Sequence, residues 1–176
     1  AVNLLRLVGA LLLPLAAASP AAERQSFNNL GQKPFGVLLL GEGGDRDWKD
    51  TVALLKKKAG AKYPLEFAPG LADGREMQRG LDVLQAKRVK AIVIVPLFIS
   101  SYGEAMDQNR YLLGIRETPH RLGARLPRRL QSRVPLVLTK ALDDHPLFVD
   151  ILAARAKALS RRPNEEALIL VGEAPA

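Results

Sequence analysis

The feature that most limits what this chain can fold into is a series of short, almost wholly apolar runs, each closed by a turn and followed by a segment of helical periodicity. Phe35 to Leu40 is the first, closed by Gly41-Glu42-Gly43-Gly44; it is too short for a helix and is bounded as a buried strand should be. Asp45 to Ala59 then places Trp48, Val52, Leu55 and Ala59 on one helical stripe, with Lys56, Lys57 and Lys58 at the end, where cations suit the helix dipole. Leu65 to Ala68 reads as a second, weaker strand, and Asp73 as the cap of a helix carrying Met77, Leu81 and Leu84. Ala91 to Phe98 is the strongest strand. A helix over Glu104 to Leu113 and a strand over Val134 to Leu138 follow. Another helix starts at Asp144, which is expected to cap it, with Phe148, Leu152, Ala156 and Leu159 as its inner stripe. Glu166 to Val171 reads as a fifth strand. Apolar strands alternating with helices predict an α/β fold, a doubly wound parallel sheet covered on both faces.

The first 22 residues differ from the rest. Arg6 is their only charge, Leu7 to Ala18 is apolar, and Ser19-Pro20-Ala21-Ala22 precedes the charged pair Glu23-Arg24. This reads as a secretory signal peptide cut near Ala22, which implies a periplasmic or secreted protein, with an uncleaved N-terminal tether as the alternative. The apolar run is shorter than the roughly 20 residues that span a bilayer and contains Pro14, so no membrane span is expected after cleavage. The α/β domain is expected over residues 35–165, leaving 166–176 for the fifth strand. That strand has an echo: Val37-Leu38-Leu39-Leu40-Gly41-Glu42 is matched by Leu168-Ile169-Leu170-Val171-Gly172-Glu173. Either buried strands merely tend to end in Gly, or the segment opens a truncated second repeat.

Ligands of open parallel sheets bind beyond the carboxyl ends of the strands. There the sequence gathers Glu42, Gly43, Gly44 and Asp45 after the first strand, Ser100, Ser101, Tyr102 and Glu104 after the third, and Asp143, Asp144 and His145 after the fourth. Phosphate loops are excluded: Arg46 occupies the place of the third glycine of a dinucleotide loop, and Glu42 would repel a pyrophosphate. Cysteine is absent, so no thiolate metal site or disulfide exists. A net charge of +8 favours an acidic partner. Nucleic acid is not expected, because aromatics make up only 5% of the chain and no binding motif is present.

The strand ending Leu-Leu-Leu-Gly-Glu-Gly-Gly-Asp-Arg-Asp, the segment Val93-Ile94-Val95-Pro96-Leu97-Phe98-Ile99-Ser100-Ser101, and Val137 to Leu147 together resemble the sirohydrochlorin cobaltochelatases. These are class II tetrapyrrole metal chelatases, lyases of cobalamin biosynthesis. The resemblance covers residues 35–176 and implies a chelatase-like fold, insertion of a divalent metal (cobalt first, nickel or iron otherwise) into a tetrapyrrole, and no organic cofactor. It is consistent with one half, plus the opening strand, of a duplicated chelatase; a homodimer would complete a two-sided cleft.

The family's histidines are replaced. Glu42 stands where His follows the first glycine, Gly172-Glu173-Ala174 stands for the second Gly-His-Gly, and the second ligand position falls on Glu104 or on Tyr102 according to loop length. The resemblance therefore implies Glu42 and Glu104 as catalytic, and Glu42, Tyr102, Glu104 and His145 as metal ligands. Gly41, Gly43, Ser100, Ser101, Tyr102 and Arg116 would bind substrate. Carboxylates ligate the same metals but favour harder cations, so affinity and selectivity should change. The competing readings are solvated loop acids in a catalytically degenerate carrier of tetrapyrrole or metal, and a His145 that serves only the helix start. The six arginines between 116 and 133 are either a solubilising surface or a clamp for a polycarboxylate. His120, among those arginines, is expected to be exposed.

Overall fold

A computed structural model describes residues 34–43, 45–60, 62–118 and 127–171. The expected signal segment, Gly44, His120, Arg121, Arg125 and Glu173 lie outside the described residues. The elements run β1 (Phe35–Gly41), α1 (Arg46–Ala59), β2 (Leu65–Pro69), α2 (Gly74–Ala86), β3 (Ala91–Pro96), α3 (Glu104–Leu112), β4 (Leu136–Leu138) and α4 (Pro146–Leu159). All strand pairs are parallel and the sheet order is β2-β1-β3-β4. The doubly wound α/β expectation is met.

Strand alternation divides the core. Leu38 and Leu40 of β1 and Ile92 and Ile94 of β3 point to one face, where Met77, Leu81 and Leu84 of α2 and Met106 and Leu112 of α3 bury them. Val37, Leu39, Val93 and Val95 point to the other face and meet Leu55 of α1. A strand covered on both faces has no place for a polar residue, and that is why these runs read as continuously apolar.

The helix starts follow local chemistry. Asp45 caps α1 by accepting from the Trp48 N–H at 2.9 Å, and Asp73 caps α2 by accepting from the Arg75 N–H at 2.8 Å. At α4 the expected cap is corrected: His145, not Asp144, is the N-cap, because Pro146 takes the first helical position and places the preceding residue at the boundary. His145 Nδ1 accepts from the Leu147 N–H at 3.2 Å.

Two further expectations are corrected at the C-terminal end. No residue of α4 is buried, and Leu159, assigned to its inner stripe, is 83% exposed. Glu166–Val171 forms no strand: the segment is irregular and exposed, and Val171 is 92% accessible. The residue that would have begun it, Glu166, instead closes a turn, its carboxylate accepting from the N–H groups of Arg161 and Arg162 at 3.0 and 2.9 Å. Without a neighbouring strand the apolar sequence has no ladder to join.

Candidate functional site

The carboxyl ends of β1 and β3 lie side by side, Leu40 opposite Pro96, and the Leu97 N–H donates to the Leu40 carbonyl at 2.7 Å just past that pair. The loop leaving β1 is tied to the loop leaving β2, where the Gly70 N–H donates to the Glu42 carbonyl at 3.2 Å. The strand order thus sets three loops around one opening. That opening is a cavity of about 790 Å³, within the usual range of small-ligand pockets.

Glu42, Ser100, Tyr102 and Glu104 all line it. Glu42 is exposed on the β1 loop, Tyr102 is 73% exposed, and Glu104 occupies the first turn of α3, where the helix dipole favours an acid. Gly103 turns the chain into that helix at φ +119°, a conformation L side chains rarely adopt. The walls are apolar: Leu97, Phe98, Ile99, Leu71 and Trp48 face the same space. Leu71 and Ile99 are more than half exposed, so the mouth carries an apolar rim.

Other expected site residues stand elsewhere. Ser101 is buried, and its hydroxyl accepts from the Ala141 N–H at 2.8 Å. Gly41 and Gly43 lie against Trp48: a Cβ on either would come within 2.8 and 2.4 Å of the indole. Arg116 pairs with Asp107, as does Arg110, and neither arginine lines the cavity. Partial burial raises the Asp107 pKa, but hydrogen bonds and charge from the two guanidinium groups outweigh it and hold the carboxyl below the usual carboxylate range. His145 is occupied at its Nδ1 by the α4 cap and does not line the cavity. Among the described residues no three His, Cys, Asp or Glu side chains form a cluster able to hold a metal ion.

Sequence reasoning missed the β2 side of the opening. Leu71 lines it from the loop after Pro69-Gly70, and the signal lay in the rule that ligands gather at carboxyl ends of strands, which holds for β2 as for β1 and β3. Trp48, expected in the core, is half-buried: it stacks on Phe67 with centroids 5.6 Å apart and also faces the cavity.

Against known protein families, residues 36–159 match CbiX, the sirohydrochlorin cobaltochelatase family. The chain belongs to the CbiX family. No curated protein matches it significantly. CbiX membership supports a tetrapyrrole metal chelatase-like function, with a divalent metal as substrate and a tetrapyrrole as partner. In this CbiX chain no helix among the described residues is long and apolar enough to cross a membrane.

Proposed function

We propose that this CbiX protein inserts cobalt into sirohydrochlorin, with Glu42 and Glu104 in place of the family's histidines. The observation that carries the reading is that both acids line one apolar-walled cavity at the carboxyl end of the sheet. The metal is a transient substrate, so two carboxylates and water suffice to deliver it, whereas a resident ion would call for a fuller ligand set. Insertion of a divalent cation expels two pyrrole protons, and as the metal leaves the two carboxylates for the ring nitrogens, Glu42 and Glu104 can each accept one of them and pass it to water. The rim of Leu71, Ile99 and Tyr102 offers apolar surface to a flat ring. The apolar leader read in residues 1–22 makes a periplasmic or secreted location part of this proposal.

The test is metallation of sirohydrochlorin by cobalt, followed by absorption spectroscopy. Acceleration over the spontaneous reaction is expected, with Glu42→Gln and Glu104→Gln each lowering kcat about 100-fold, the scale of a lost acid–base group. Tetrapyrrole binding without acceleration would overturn the enzymatic reading and leave a carrier.

A further inference from the structure

Four hydrogen bonds fasten the loop after β3 to the loop after β4. The Leu142 N–H donates to the Phe98 carbonyl at 3.1 Å and the Asp143 N–H to the Ile99 carbonyl at 2.8 Å. In the same sense the Ala141 N–H donates to Ser101 Oγ at 2.8 Å, and in the other sense the Ser101 N–H donates to Asp143 Oδ1 at 2.6 Å. Arg110 of α3 adds a bond from Nη2 to the Ser101 carbonyl at 2.9 Å. Ser101 is 4% exposed, yet its neighbours Ser100 and Tyr102 both line the cavity. The loop therefore carries a buried anchor between two residues that face the site.

Asp143 sits at φ +45°, one of three described non-glycine residues with positive φ. Such a conformation is unusual and persists where surrounding bonds impose it. Here it aims the carboxylate back across the gap at the Ser101 amide. We propose that Asp143 is a positioning residue of the cavity: by holding that amide it fixes the stretch from Ser100 to Glu104 along the cavity that Glu42 also lines. The consequence for catalysis rests on the chelatase reading; the clamp itself does not. A loop displaced by about 1 Å would leave Glu104 at the cavity but out of the geometry that metal delivery requires, a loss expected in kcat rather than in substrate binding.

Three substitutions separate the carboxylate from the backbone conformation. Asp143→Asn keeps an oxygen acceptor and tolerates positive φ; Asp143→Gly relieves the φ requirement but removes the acceptor; Asp143→Ala loses both. Hydrogen exchange at the Ser101 amide should quicken about tenfold or more in D143G and D143A and stay near wild type in D143N. In cobalt–sirohydrochlorin metallation, kcat should fall about tenfold in D143G and D143A with KM within about twofold, and D143N should restore it. Thermal midpoints identify folded variants; should D143G not fold, D143A, which also removes the acceptor for the Ser101 amide, carries the same exchange and kcat readouts. Wild-type exchange and kcat in D143G or D143A, or D143N as impaired as D143A, would each overturn the proposal. A wild-type chain that neither binds nor metallates the tetrapyrrole would overturn the chelatase reading alone, the exchange data still deciding the clamp.

Discussion

The indole of Trp48 lies over the backbone of Gly43 so closely that a Cβ there would stand 2.4 Å from Cγ. Real contacts do not approach this distance, so a side chain at Gly43 must push the first turn of α1 or the β1 loop aside. Gly43→Ala is expected to destabilise by about 1–3 kcal/mol, the scale of overpacking. Trp48 is the only tryptophan, so its emission maximum, read alongside the urea midpoint, reports the displacement directly. A variant with unchanged emission and midpoint would show that the loop yields freely.

Gly80 gives a second close approach, between α2 and β1. Its Cβ would meet Leu38 Cδ1 at 2.5 Å. Alanine raises helix propensity by about 1 kcal/mol, but Leu38 is wholly buried and has little room to move. We expect Gly80→Ala to be net destabilising by about 1–2 kcal/mol and Leu38→Val to recover part of that loss in the double variant. Additive losses in the denaturation cycle would place the strain elsewhere.

Glu66 of β2 joins two helix ends, accepting from Lys56 at 3.0 Å and Lys87 at 2.8 Å. Partial burial raises its pKa, but hydrogen bonds from Lys87 and Lys56, with their charges, outweigh it and hold the carboxyl below its ordinary value of 4.5. A lowered folded pKa means that the stabilisation is complete above pH 4.5 and is lost as pH falls through the folded value. Because both lysines are substantially exposed, we expect Glu66→Gln to cost only about 1 kcal/mol at pH 7. The difference from wild type should shrink progressively as pH falls below 4.5, as measured by urea unfolding at pH 7 and at successively lower pH.

Under the proposed chelatase reading, Glu42→His puts an imidazole in place of the carboxylate on the β1 loop. Imidazole suits cobalt and nickel better than carboxylate does, so a competent cavity should metallate faster in this variant, by about tenfold, with the gain confined to transition metals. A fall in rate would show that the surroundings are tuned to the acid.

What could be read from sequence and what could not divide along physical lines. Runs such as Val37 to Leu40 and Ala91 to Val95 are buried on both faces, and nothing but a parallel central strand accommodates that pattern. Capping by Asp73 was legible because the short acid precedes a periodic segment, whereas Asp45, read as the first residue of its helix, is the cap one position before it. His145 displaced the expected Asp144 through the position of Pro146, a one-residue effect that composition does not show. The Glu42, Tyr102 and Glu104 grouping was legible from the rule that ligands gather at strand carboxyl ends together with the chelatase resemblance, and the strand order, which brings the ends of β1 and β3 together, sets all three on one cavity. The buried role of Ser101 did not, because its partners, Ala141 and Asp143, come from a loop forty residues away whose register only the folded sheet sets.

The same sheet explains why the C-terminal segment behaves as it does. Leu168 to Val171 has the character of β1, but β1 holds its place between β2 and β3 through pairing on both sides. The segment has no such neighbours among the described residues, and its four apolar side chains remain exposed. Side chains this exposed are expected to add little to the stability of the four-stranded unit while presenting a surface prone to association. Ile169→Lys should leave the thermal midpoint within the effect of about 0.5 kcal/mol usual for surface changes, and should reduce binding of an apolar dye and concentration-dependent self-association in light scattering. A large fall in the midpoint would mean that the segment is packed in solution, as the strand its sequence predicts.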